Sequence, residues 1–203
     1  MLTLYDDPLS RNGYKIRLLL AELGLPVRVV RKDIMTGETR KPDFIAKNVA
    51  GRIPVLELED GTCLAESNAI LLYLAEGSTL LPADRLARAQ ALRWMFFEQN
   101  MIECTIGTAR FFKKVGRDAS RPDAYAHRLE NAQDGLSALE RQLGGGEDWL
   151  AGDFSVADIA LYGYCSVAGE AGIDMTAYPK VTDWLKRVEA RPGHVGPSDG
   201  FAA

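Results

Sequence analysis

The sequence predicts an α/β domain of about eighty residues, near the small end of the usual domain range, followed by an all-α domain. Three observations carry that prediction. Residues 2–31 read as strand, helix, strand, which is a βαβ unit with parallel strands. Asp60-Gly61 sits between the apolar runs 55–59 and 62–64, a strong hairpin signal, and the helical run 67–75 follows. Beyond residue 84 strand signals vanish. The boundaries read from this are 1–77 for the α/β domain, 78–84 for a linker containing Ser78 and Pro82, and 85–203 for the helical domain.

The first strand is Leu2-Thr-Leu-Tyr5, delivered through the polar loop Asp6-Asp-Pro-Leu9 to a helix within 10–25. In that helix Ile16, Leu19, Leu20 and Leu23 recur at helical spacing, Ser10 or Asn12 can cap its start, and Gly24 can supply a left-handed stop. A helix start of this kind offers unpaired N–H groups and a positive dipole end to an anion, a thiolate included. The same residues equally describe an ordinary capped βα turn. Residues 27–31 alternate as a second strand, and 32–51 form a long irregular stretch with one helical turn near 43–47. Ile70, Leu71 and Leu74 give the helix at 67–75 one apolar face, and Gly77 ends it. In the second half, residues 85–114 are one long helical stretch with a bend at Gly107, and 122–143 are another, stopped by Gly144-Gly-Gly146. Ser155 and Asp158 form a capping box for the next apolar helix, and Pro179 starts a last one. The tail from Gly193 is polar or small and reads as mobile.

Composition narrows the functional classes. A chain of 203 residues with 47% hydrophobic and 26% charged residues can bury a real core and is not disordered. No apolar run approaches the roughly 18 residues of a membrane span. Met1 leads straight into a strand without the basic and apolar regions of a secretory signal, so a cytoplasmic location is expected. A net charge of −4 with interspersed signs argues against nucleic acid as a partner. Cys63, Cys104 and Cys165 are odd in number and widely spaced, with no Cys-x-x-Cys pair, and His127 and His194 are the only histidines. Neither a disulfide framework nor a metal site is expected, and each cysteine reads as a small buried apolar residue, with Cys63 in a strand.

Three motifs then coincide: Ser10 and Asn12 at a helix start, Gly51-Arg-Ile-Pro-Val-Leu56, and Glu66-Ser-Asn-Ala-Ile70. Together they resemble the cytosolic glutathione S-transferase family. Phe154-Ser-Val-Ala-Asp158 and Tyr178-Pro-Lys-Val181 with Trp184 extend the resemblance over nearly the whole chain. It implies a thioredoxin-like N-terminal domain joined to an all-helical one, a homodimer, and glutathione as co-substrate. In such a protein the Ile53 backbone, followed by a cis Pro54, pairs with the cysteinyl part of glutathione like an added strand. Ser67 takes the γ-glutamyl carboxylate and Glu66 the amino group, although both residues are also plain helix caps. Arg40, Lys41 and Arg52 are candidates for the glycine carboxylate, which an arginine can hold in a bidentate fork.

The chemistry implied is ionisation of the glutathione thiol. Lowering its pKa from about 8.5 to about 6.5 raises the thiolate at pH 7 from about 3% to about 75%, a preferential stabilisation of about 2.7 kcal/mol. One neutral hydrogen bond contributes about 1 kcal/mol, so a hydroxyl needs a second donor and the helix dipole beside it. Ser10 aligns with the family's activating serine and Asn12 is the second donor, with the leading partner left open. Tyr5 ranks third, with packing as its better role. The resemblance implies conjugation to a small hydrophobic electrophile, in a pocket lined by Phe97, Met101, Thr105, Thr108 and Phe112. Glutathione-dependent reduction of disulfides or peroxides and a non-catalytic protein-association module are the alternatives.

Overall fold

The computed structural model describes residues 1–201. They divide into two compact units, Met1–Ser78 together with the segment from Pro192, and Thr79–Arg191. The chain therefore leaves the first unit and returns to it. The expectation that everything after residue 84 is one helical domain is corrected at its end: the segment from Pro192 packs with the first unit. It was also expected to be mobile. Its backbone carbonyls, which carry no sequence signature, are instead bound by side chains of the first helix.

In the first unit, β1 (Leu2–Asp6) leads to α1 (Arg11–Glu22) and β2 (Val27–Arg31). A 3₁₀ turn at Glu38–Arg40 and α2 (Pro42–Ile45) follow, then β3 (Val55–Glu57), β4 (Cys63–Ala65) and α3 (Ser67–Ala75). The sheet order is β2-β1-β3-β4, with β1 parallel to β2 and the other pairs antiparallel. Leu4 and Leu56 pair across the sheet and are fully buried. Buried Ile16, Leu19 and Leu20 of α1 and Ile70 and Leu71 of α3 supply the apolar surface where those two helices pack together. Tyr5, Phe44 and Val55 form a separate cluster, with the Tyr5 and Phe44 rings edge to face at 5.9 Å. Helix α1 stops as its sequence predicts. Gly24 (φ +65°) donates to Ala21 O and Leu25 donates to Leu20 O, closing a Schellman motif.

In the second unit, Asp84 caps α4 (Arg85–Phe97) by accepting from the Leu86 and Ala87 amides. A π-helical stretch, Glu98–Gly107, continues into α5 (Thr108–Lys114), followed by α6 (Arg117–Ser120) and α7 (Pro122–Leu143). Then come α8 (Val156–Cys165) and α9 (Pro179–Glu189). The long helix expected over 85–114 is thus wound in two ways. Its wider portion sits where neighbours come close: a Cβ on Gly107 would lie 2.7 Å from the Tyr164 ring, and one on Gly135 of α7 would lie 2.9 Å from Met101 O. Arg128 of α7 donates to the Cys104 carbonyl within it. The predicted capping box is formed. Asp158, fully buried, accepts from Leu150 N at 3.1 Å, Ser155 N at 3.0 Å and Trp184 Nε1 at 3.0 Å, binding the start of α8 to α9. Among the described residues no helix is long and apolar enough to cross a membrane.

Candidate functional site

Strand register decides where the motifs meet. Tyr5 of β1 lies opposite Val55 of β3, and Val55 lies opposite Ala65 of β4. Asp6 lies opposite Arg31 of β2. The chain following β1 (7–10), preceding β3 (53–54), following β4 (66–67) and following β2 (from 32) is therefore gathered at one end of the sheet. A sheet end of this kind, where strand ends and helix starts converge, is where open α/β sheets bind ligands.

Ser10 is the N-cap of α1, in extended conformation, and its Oγ accepts from the Gly13 amide at 3.0 Å. A hydroxyl has two lone pairs and one proton, so this bond leaves the Ser10 O–H as a donor. Asn12 lies in the first turn, and Ser67 Oγ donates to its Oδ1 at 3.2 Å. That bond joins the starts of α1 and α3. It engages the amide oxygen with Ser67, and the NH₂ end of Asn12 is a donor group. Ser67 itself is buried, 5% exposed.

Glu66 is exposed at the N-cap of α3 and has φ +70°. It has the only positive φ of a non-glycine residue among those described. Such a backbone costs on the order of 1–3 kcal/mol and persists at ligand clamps and active sites. Residue type alone gave no sign of it. The Ile53–Pro54 peptide is cis, as the resemblance implied. The loop before it is organised by Asn48, which neither motif nor composition singled out: its Oδ1 accepts from Ala50 N at 3.0 Å and its Nδ2 donates to Arg52 O at 2.8 Å. Arg40 Nη1 donates to Ala50 O at 2.9 Å, and Gly51, at φ +58°, allows this approach, because a Cβ there would lie 2.8 Å from Thr39 O. Arg40, Lys41 and Arg52 are all exposed, and Lys41 and Arg52 have no ion-pair partner among the described residues.

Tyr5 sits elsewhere in the chemistry. Its hydroxyl donates to Glu57 Oε2 at 2.7 Å, and Lys47 Nζ donates to the same oxygen at 2.6 Å. Burial and the Glu57 bond raise the phenol pKa, so the Tyr5 proton is committed. The cysteines are free thiols. Cys165 is buried, whereas Cys63 in β4 and Cys104 are half-buried, a correction to the expectation that all three are interior. Burial pushes the Cys63 and Cys104 thiols up, away from thiolate reactivity. Within the second unit, Thr105 is buried with its hydroxyl on Met101 O at 2.6 Å, and Phe97 meets Trp94 edge to face at 5.1 Å. Among the described residues no group of histidine, cysteine and carboxylate side chains is arranged to hold a metal ion.

A mixed four-stranded sheet that gathers two helix starts and a cis-proline edge, followed by a helical unit, defines a thioredoxin-like domain joined to an all-α domain. Comparison with known proteins identifies the family. Residues 1–76 match the glutathione S-transferase N-terminal domain and residues 122–187 match the C-terminal domain. This chain belongs to the glutathione S-transferase family. It is 31% identical over 203 residues to the disulfide-bond oxidoreductase YfcG of Escherichia coli K12, spanning 95% of this chain and 92% of that protein. A crystal structure of a glutathione S-transferase from Pseudomonas fluorescens Pf-5 superposes with a TM-score of 0.94 at 45% identity, covering 98% of this chain and 99% of the other. A glutathione transferase family member from the same organism, crystallised with two glutathione bound, superposes with a TM-score of 0.83 at 29% identity, covering 95% and 89%.

Proposed function

We propose that this protein is a glutathione transferase that binds glutathione at the gathered strand ends, lowers its thiol pKa and adds the thiolate to a small hydrophobic electrophile. The observation that carries the reading is the Ser67–Asn12 hydrogen bond, which couples the start of α3 to the start of α1. On this reading Glu66 and Ser67 hold the γ-glutamyl end, the Ile53 backbone pairs with the cysteinyl residue, and Arg40, Lys41 or Arg52 meets the glycine carboxylate. Ser10 O–H and the Asn12 amide then face the sulfur, helped by the dipole of α1. The unfavourable backbone of Glu66 supports a ligand-binding role at that corner. A second copy of the chain would cover the exposed apolar side chains Leu86 and Phe96 of α4, giving the homodimer usual for the family.

A second reading, glutathione-dependent disulfide reduction, is favoured by the name of the E. coli relative and by the two glutathione molecules in the Pseudomonas structure. With Cys63 and Cys104 held as thiols, the exchange would run between glutathione sulfurs, Ser10 and Asn12 stabilising the attacking thiolate. Calorimetry with glutathione tests both readings, and absence of binding at millimolar concentration, about −4 kcal/mol, removes both. Parallel assays of chlorodinitrobenzene conjugation and of bis(2-hydroxyethyl) disulfide reduction then separate them. Conjugation exceeding reduction is expected, and the reverse order transfers the assignment to the reductase.

A further inference from the structure

Helix α1 carries two side chains that thiolate stabilisation does not use, Tyr14 and Arg17, and both grip the chain's last segment. Tyr14 Oη donates to Val195 O at 2.8 Å and lies 3.2 Å from His194 Nε2. Arg17 uses one guanidinium on three partners: Nε to Asp6 Oδ2 at 3.0 Å, Nη1 to Asp199 O at 2.8 Å and Nη2 to Pro197 O at 2.8 Å. It also lies 4.7 Å from the Phe201 ring centroid. The segment is shaped for this seat. Gly196 N donates to Asp199 Oδ2 at 2.6 Å, closing its turn, and a Cβ on Gly193 would lie 2.9 Å from the Glu22 Cα.

The grip reaches the functional end of the helix. Asp6 is fully buried, and its Oδ1 has no hydrogen-bond partner among the described residues. That oxygen lies directly against Gly13, where a Cβ would come within 1.6 Å of it. Gly13 in turn donates its amide to Ser10 Oγ. A continuous line of contacts therefore runs from the C-terminal segment through Arg17, Asp6 and Gly13 to the cap of α1. Arg17 alone ties together β1, α1 and the returning chain, and a buried guanidinium deprived of these acceptors would have to find water or move.

We propose that residues 193–201 form a strap that positions the first turn of α1, with Arg17 as the positioning residue, so that the thiolate-stabilising groups at Ser10 and Asn12 are held aligned only while the strap is seated. The inference rests on the reading that this helix start faces the glutathione sulfur. Positioning differs from a general structural role in what it moves. A strap that merely adds stability changes the unfolding temperature, whereas one that aligns donors changes the pKa of the bound thiol.

The test uses the full chain, Arg17→Lys, Arg17→Met, Tyr14→Phe and a chain ending at Arg191. Two quantities are read on each folded protein: the thiol pKa of bound glutathione, from thiolate absorbance near 240 nm, and amide hydrogen exchange over residues 11–14. Arg17→Met and the shortened chain are expected to raise the thiol pKa by about one unit, a tenfold fall in its acid dissociation constant, and to speed exchange. Arg17→Lys, which keeps the charge but not the three-way fork, and Tyr14→Phe are expected to do so to a smaller extent. Affinity for S-methylglutathione, which has no thiol to ionise, is expected to fall by less than the roughly tenfold change in thiol acidity, because the first turn of α1 bears on the binding residues indirectly, through the Asn12–Ser67 bond. Unchanged pKa and unchanged exchange in the folded variants overturn the proposal. Tyr14→Phe loses a single hydroxyl and keeps the test decisive if the larger changes prevent folding. If the unaltered protein binds glutathione without lowering its thiol pKa, the functional reading falls, and the exchange data alone then decide whether the strap orders the helix start.

Discussion

Ser10 and Asn12 do different physical work at the same helix start, and single substitutions separate them. Ser10→Ala removes an N-cap whose Oγ accepts from Gly13 N, with an expected loss of about 1 kcal/mol of stability. On the proposed reading it also removes one donor to the sulfur, and a bound-thiol pKa higher by about one unit is expected. Asn12→Ala leaves the cap in place but strips Ser67 of its acceptor. A similar rise in thiol pKa is expected, now with weaker glutathione binding, because Ser67 is freed to turn. Thiolate absorbance titrations and calorimetry on the two variants read both effects, and a pKa unmoved by either substitution would remove these residues from the mechanism. Sequence legibility at this scale followed residue chemistry. A serine three residues before an amide it can cap is visible as a pattern, and so is an Ile-Pro that opens a strand. The positive φ of Glu66 was not, because nothing in a glutamate side chain announces an unusual backbone.

Elements make contacts that individual residue types conceal, and the join between β1 and α1 is the clearest case. Glycine costs a helix about 1 kcal/mol relative to alanine, so an exposed Gly13→Ala change would be stabilising. At this position the added methyl would sit 1.6 Å from the buried Asp6 Oδ1, and the carboxyl group is held in place by Arg17. The clash outweighs propensity, since overpacking a fixed buried group costs typically 1–3 kcal/mol. Gly13→Ala is therefore expected to lower stability by up to about 2 kcal/mol net of propensity, measured by urea unfolding, and a more stable variant would contradict the contact. A sequence reader sees a glycine in a helical run and no reason for it. The helices with marked ends were legible for the opposite reason. Ser155 with Asp158, Pro179 and Gly24 act on their own backbone, and local signals travel with the sequence. The π-helical stretch and the returning strap depend on partners far along the chain, and neither was read from local pattern.

At the scale of the whole molecule, charge burial sets how stability responds to pH. Among the fully buried aspartates, burial shifts Asp6 in the first unit and Asp158 in the second. Burial pushes both up to about 6; the Arg17 guanidinium works against the rise at Asp6, and the donated hydrogen bonds from Leu150, Trp184 and Ser155 work against it at Asp158. A raised carboxyl pKa means the folded chain keeps a proton that the unfolded chain releases from its ordinary value of 3.8 upward. Between about pH 4 and 6 the unfolded state binds fewer protons, so these two groups make stability fall as pH rises, and above 6 their effect is constant. Carboxylates nearer the solvent act with the opposite sign. Glu57, Asp60 and Asp174 are held below their ordinary values, chiefly by hydrogen bonds from Lys47, Thr62 and Thr176 respectively, so what they contribute is present at neutral pH and is lost on acidification below about 4.5. Solvent screens that contribution, and the buried pair dominates. The expected profile is a stability maximum near pH 4, followed by a decline on the order of a few kcal/mol that is complete soon after pH 6, at about 1.4 kcal/mol per pKa unit and allowing for relaxation around the buried charges. Urea unfolding followed by circular dichroism between pH 4 and 8 reads it directly. Asp158→Asn cannot titrate, and its amide turns a donor toward groups that already donate, so it is less stable throughout. Its deficit relative to the unaltered chain should be widest near pH 4 and narrow as the aspartate ionises, and a deficit that instead grew with pH would show that Asp158 is already charged in acid.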